Sequence, residues 1–441
     1  MRRRLFIFSL LVCFSTFVFA QANGPVLQFG QTQIEPGMVV AVDDDHIAMY
    51  LVDYGAHIKS LGILDVSAYT TWNSSTIISP NAIQLPDNIN VTKMFVCENK
   101  LFFCGSKATT AGSRRSYYGY VDVASGNFVG LITINDVGDY EIASDIVAYK
   151  NTTTNNIDVA LVVWKQNFQS YGLTRVADAT TPSPTASVCD IPYSNRLSNL
   201  TVTDKYVLTV ITGAPHLLYY GKDDAVTSSV NVMNMALPYY LANHDVSSVA
   251  LNGDEVAFAY YAYNMSGSVS HKINIFKYDM QGGSTNTIGA IDVNDKIMPP
   301  KLKFAQGRQL LSLLFPEGGP NLPEQVSVCA VMDIAAPAMV SLCYHSGDIP
   351  AYSAHDLFLG TCCVMAGHNK WSIFDMNAVI PPLTVSTPFL TGCYTTNICP
   401  LRTGYPTSIL PATTLSSRTV SVTIDTSLAT PTPILLSLTC Y

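Results

Sequence analysis

Charge is scarce in this chain. Lys, Arg, Asp and Glu together make up 13% of its 441 residues, against about 25% in ordinary soluble domains. The acids (32) also outnumber the bases (24), so the basic excess that a nucleic-acid partner requires is missing. After the first twenty residues no apolar run approaches the ~18 residues needed to span a bilayer, so no transmembrane segment is expected. The apolar ending Ile434 to Leu438 is too short for a lipid-anchor signal. Heptads, charge blocks and amphipathic helical periods are absent, which sets aside coiled coils and helical bundles. So are the GxSxG elbow, the HExxH pair, a phosphate-cradling glycine loop and the EF-hand loop.

What is present begins with an export signal, residues 1–20. Arg2, Arg3 and Arg4 form its basic start and Leu5 to Phe19 its apolar middle, with a small-residue exit at Val18-Phe19-Ala20 or Ala20-Gln21-Ala22. Cys13 is expected to leave with it. Loss of the three arginines takes the formal charge from −8 to −11. A secreted or surface-exposed location is therefore expected. Ten cysteines follow: Cys97, Cys104, Cys189, Cys329, Cys343, Cys362, Cys363, Cys393, Cys399 and Cys440. An even count in an exported chain favours disulfides, with Cys329 and Cys343 placed to face each other across a hairpin. Five sequons permit a glycoprotein: Asn73-Ser74-Ser75, Asn90-Val91-Thr92, Asn151-Thr152-Thr153, Asn199-Leu200-Thr201 and Asn264-Met265-Ser266.

The strongest pattern is a repeat. Apolar alternations end in an Asp held between large apolar residues at Asp65, Asp122, Asp279, Asp333 and Asp375. The fullest copy reads as strand (Asp245 to Leu251), turn, strand (Val256 to Tyr263), strand ("KINIFKYDM") and strand (Thr285 to Val293). Six other segments fit this template: 38–65, 92–123, 141–176, 200–222, 301–334 and 354–376. Successive Asp positions lie 57, 54 and 42 residues apart where adjacent copies carry one. Four strands per unit at a period of about 50 resemble the β-propeller repeat proteins in architecture. The Asp box of sialidase-like propellers, the WD and YWTD signatures and the kelch glycines are absent, so the resemblance names no single family. It implies an all-β, seven-bladed β-propeller over 23–380, with a Thr/Ser/Pro-rich C-terminal extension over 381–441. Either "PVLQFGQTQI" or "PPLTVSTPFL" would close the last blade. "ADATTPSPTASV" (177–188) reads as a linker between blades three and four. The Asp at each strand end is expected to accept backbone N–H bonds.

On that template seven of the eight histidines fall on the face that carries the second-to-third and blade-to-blade connections. His244-Asp245 and His355-Asp356 are repeat-equivalent and precede the innermost strands of blades five and seven. With Asp145 of blade three, His244 and His355 could converge as ligands of one axial metal ion, or as an acid/base pair for a lyase or hydrolase. The plainer account is that His–Asp pairs bond strand starts. Arg114 and Arg115 in the long loop of blade two offer an anion site, and Tyr239 and Tyr240 a sugar-stacking surface. No catalytic or cofactor-binding residue follows from the sequence by itself. The leading expectation is a binding protein, more a recognition disc than an enzyme. Its partner would be an extracellular protein or glycan. A coat or wall glycoprotein is the third reading, favoured by low charge and the Thr-rich tail.

Overall fold

In the computed structural model, described residues lie between 26 and 375, interrupted by connections of which the longest are 66–76, 236–245, 263–270 and 318–325; side chains are described within 38–304, and two short strands lie beyond 375. The strands form seven sheets, each built on four antiparallel strands running inner, second, third, outer, and Ile77–Ile78 adds a parallel strand beyond Val26–Phe29. Their inner strands are Ile34–Ala41, Ile89–Cys97, Ile142–Lys150, Leu197–Val202, Val246–Asn252, Lys301–Phe304 and Tyr352–Phe358. Each packs beside the inner strand of the next sheet, and the seventh packs beside the first. The molecule is a β-propeller.

Strands buried on both faces read as near-continuous apolar runs. Ile157–Trp164 of blade three is such a strand, with Val159 to Val163 wholly buried. The core therefore lies between blades rather than inside any one of them. Ala48, Tyr50 and Leu61 of blade one pack on Val91, Phe103 and Tyr117 of blade two. Val147, Ala160 and Leu173 of blade three pack on Leu200, Val207 and Tyr220 of blade four. At about 1.5–3 kcal/mol for each large side chain buried, no blade is stable without its neighbours.

Val26–Phe29, within "PVLQFGQTQI", supplies the outer strand of blade seven, with Val26 opposite Ser372. The other candidate for closure, Leu383–Thr384, instead pairs in parallel with Val422–Thr423. Residues 177–188 are not an inter-blade linker. Thr185–Ile191 is the outer strand of blade three, in register with Tyr171–Ala177. Its half-exposed Thr and Ser are what an edge strand tolerates, and this is why the segment reads as a linker. Asp65, Asp279, Asp333 and Asp375 each end a third strand as expected. Asp279 Oδ1 accepts the Gln281 N–H at 2.9 Å. Asp122 differs: it lies inside Arg114–Ala124 and pairs with Lys100 directly across the sheet.

Cys97, Cys104 and Cys189 are free thiols, so at most seven of the ten cysteines are left for disulfides. The backbone register does set Cys329 opposite Cys343.

Candidate functional site

Five inner strands carry a register shift near their start. The shifts fall between Pro36 and Met38, Val91 and Lys93, Ala143 and Asp145, Ser198 and Thr201, and Tyr352 and Ala354. A bulge leaves a backbone group without its ladder partner. Here the neighbouring blade supplies one. Thr92 Oγ1 donates to the Ala143 carbonyl at 2.5 Å, and the Cys104 thiol donates to the same oxygen at 3.6 Å. Asp145 Oδ2 accepts the Leu200 N–H at 2.7 Å while its Oδ1 accepts the Ile146 N–H at 2.9 Å. Asn199 Nδ2 donates to the Val246 carbonyl, and Ser247 Oγ accepts the Phe304 N–H at 3.2 Å. These contacts form a polar belt running from blade two to blade six around the axis. Beside the bulge of blade two Gly105 faces Val91, and a Cβ there would collide with the Asn90 carbonyl.

Asp145 is thus placed on the axial belt, buried, with Lys93 Nζ 3.8 Å from it. Both of its oxygens are engaged by backbone. His355 and Asp356 lie inside the inner strand of blade seven, opposite Met365 and Val364. Tyr239, Tyr240, His244 and Asp245 lie outside the described residues. Among the described residues no three His, Cys, Asp or Glu side chains gather as metal ligands.

A cleft of about 650 Å³ opens at the opposite end of the axis, among the first-to-second turns, where sequence reasoning placed no site. Phe95, Cys97, Glu98, Tyr149, Asp204 and Lys222 line it. Burial, then the nearby Glu98 carboxylate, pushes the Cys97 thiol up to about 11, so it stays protonated and unreactive at neutral pH. Glu98 and Asn99 form the two-residue turn of blade two with φ of +49° and +58°. That is a type I′ hairpin, which suits Asn far better than Glu at its first position. Glu98→Asn is expected to stabilise the fold by about 0.5–1 kcal/mol, seen as a higher melting temperature. No change on substitution would mean that the turn is unstrained.

Asn151, the third sequon, is 4% exposed. Its Nδ2 donates to Asp158 Oδ2 at 2.9 Å, and its Oδ1 accepts the Thr153 and Thr154 N–H groups at 3.0 and 3.1 Å. The amide nitrogen that would carry a glycan holds the turn of blade three instead. Peptide mass spectrometry of the protein made in a glycosylating host should find Asn151 unmodified. Asn151→Gln, the usual sequon knock-out, should cost about 2 kcal/mol of stability. A glycan on Asn151 would contradict this placement. Asn199 Nδ2 is engaged as well, by the Val246 carbonyl.

Arg114 and Arg115 open the third strand of blade two, both exposed. The tyrosine pairs of the described strands are packing groups: Tyr117, Tyr118, Tyr220 and Tyr260 are almost fully buried.

No protein-family model matches the chain, and no curated protein matches its sequence. Solved structures with a similar course include the WD40 β-propeller domain of Doa1, with a TM-score of 0.47, 11% identity, and 80% of this chain and 97% of that one covered. The Dos1 propeller gives 0.45 at 9% identity, covering 76% and 75%. The β-propeller domain of the Trilobed protease from Pyrococcus furiosus gives 0.44 at 10% identity, covering 80% and 98%. Similarity at this level carries no functional argument, and the fold rests on the chain's own strand pairing.

Proposed function

We propose that this chain is an exported recognition protein, a rigid disc that binds an extracellular protein or glycan through the face carrying its second-to-third and blade-to-blade connections. One contrast supports the reading. The polar groups described on the axis, Asp145 foremost, hold blades together. Among the described residues Arg114 and Arg115, on the connection face, make no such contact. Closed scaffolds with rigid cores place binding on their loops in this way. A catalytic centre built from His244 and His355 would have to do without the Asp145 carboxylate. The test is a binding panel of extracellular proteins and glycans against the mature chain, with its N-terminus sequenced from the medium. Saturable binding by a chain beginning at Gln21 or Asn23 is expected. No saturable binding, or retention of the uncleaved chain inside the cell, would overturn the reading.

A further inference from the structure

We infer that the second-to-third hairpin of blade two is a docking surface for an acidic stretch of a partner polypeptide. The inference rests on the recognition reading above and gives its partner a chemistry.

The hairpin joins Lys100–Ala108 to Arg114–Ala124. Its tip is fixed: the Thr109 N–H donates to the Ser113 carbonyl at 2.8 Å, and the Gly112 N–H to the Thr109 carbonyl at 3.0 Å. Gly112 takes the left-handed conformation, φ +78°, that the reversal requires. The base is clamped to the preceding connection. Ala108 N–H donates to the Asn88 carbonyl at 2.8 Å, and Asn88 Nδ2 donates to the Ala108 carbonyl at 3.0 Å. A surface held like this loses little freedom on binding.

On this frame Lys107 and Arg115 are direct cross-strand partners. Their side chains share a face, and like charges so placed weaken a hairpin. Arg114 follows the alternation of the strand onto the other face. Neither arginine has an ion pair or hydrogen bond among the described residues. Lys107 reaches Asp136 Oδ1 at 3.4 Å, an exposed pair that adds little. The fold would be better served by a carboxylate at 115, opposite Lys107. Instead the hairpin keeps three cations in a chain of formal charge −8, so its tip stands out against the molecule's own field and attracts anions. Guanidinium forks match carboxylates two bonds at a time. Two of them on opposite faces of one strand, with a lysine beside, fit successive carboxylates along a polypeptide better than a single small anion.

The test uses the mature full-length chain, a labelled oligoglutamate peptide and, for contrast, oligolysine and a heparin fragment. Oligoglutamate should bind and oligolysine should not, and binding should weaken as salt rises from about 50 to about 300 mM. R114E/R115E should weaken it by about tenfold or more. R115E by itself should melt at the same or a higher temperature, since it sets a carboxylate opposite Lys107. Equal binding by wild type and R114E/R115E would place the anion elsewhere and overturn the inference. No oligoglutamate binding, or binding of heparin only, would also overturn it while leaving the recognition reading to its own panel. A lower melting temperature for R115E would make the arginine a structural residue and likewise overturn it.

Discussion

Asp145→Ala should lower the stability of the disc by about 2–4 kcal/mol, because it strips the acceptor from two buried N–H groups in adjacent blades. Both bonds are short, 2.7 Å to Leu200 and 2.9 Å to Ile146, and the residue is 6% exposed, so water cannot readily replace the carboxylate. Asp145→Asn keeps one oxygen but turns an amide NH2 toward a donor, and should lose nearly as much. Urea unfolding of the three proteins gives the numbers. The same experiment separates a structural Asp145 from a ligand-holding one. A carboxylate kept for a metal or a substrate is usually released with little loss, or with a gain, in stability. A change below about 0.5 kcal/mol, within the range of neutral surface substitutions, would return Asp145 to the list of axial ligands.

The second large effect is expected at Arg175, on the third strand of blade three. It is 2% exposed, its guanidinium lies 3.8 Å over the Tyr220 ring, and it donates to the Asp224 carbonyl at 2.8 Å. These contacts cross from blade three to blade four. Arg175→Ala removes a buried stacked cation and leaves a cavity, at a cost of about 3–5 kcal/mol; Arg175→Met, which refills the space, should cost much less. The difference carries a pH signature. Burial raises the Asp158 carboxyl above the ordinary carboxylate range, with Arg175 among the groups that hold it down. Removing the cation raises it further. A folded state with a raised carboxyl binds its proton more tightly than the unfolded chain does, so it loses stability as pH rises through the raised value. The deficit of Arg175→Met should therefore be smallest in acid and grow through that window, then level off. Unfolding followed from acid to neutral pH reads this directly, and a pH-independent deficit would mean that Arg175 and Asp158 are not coupled.

The blades were legible because each buries two faces. That requirement writes long apolar runs and a recurring strand-end Asp into the sequence, and both survive divergence of everything else. The bulge belt left a fainter trace. Thr92, Ser144 and Asn199 are small polar residues interrupting apolar inner strands. A one-residue shift has no period, however, and its partner lies in another blade some fifty residues on. Asn151 fits a glycosylation triplet equally well whether its amide faces water or Asp158, and burial decides which. Arg175 sits in "YGLTRV", where nothing in the sequence marks a lone arginine in an apolar strand as a stacked cation between blades. The choice between two closing segments was open for a similar reason. Both alternate, and only pairing distinguishes them. The cleft among the first-to-second turns is assembled from single residues of separate blades and has no linear signature at all.

Closure by Val26–Phe29 makes the ring a problem in time as well as in space. Val26 and Ser372 are paired across 346 positions of chain, and joining ends that far apart carries an entropy of about 5 kcal/mol that no local contact offsets. Among the described strands Val26–Phe29 is made first, yet its antiparallel partner lies at residues 370–375. Until residues 370–375 have been made, the nascent chain is an open arc with one incomplete sheet at its end, and each blade interface formed beforehand shortens the remaining gap. A chain of this design closes by joining two segments far apart in sequence, and the quality of that seam governs how long the disc stays shut.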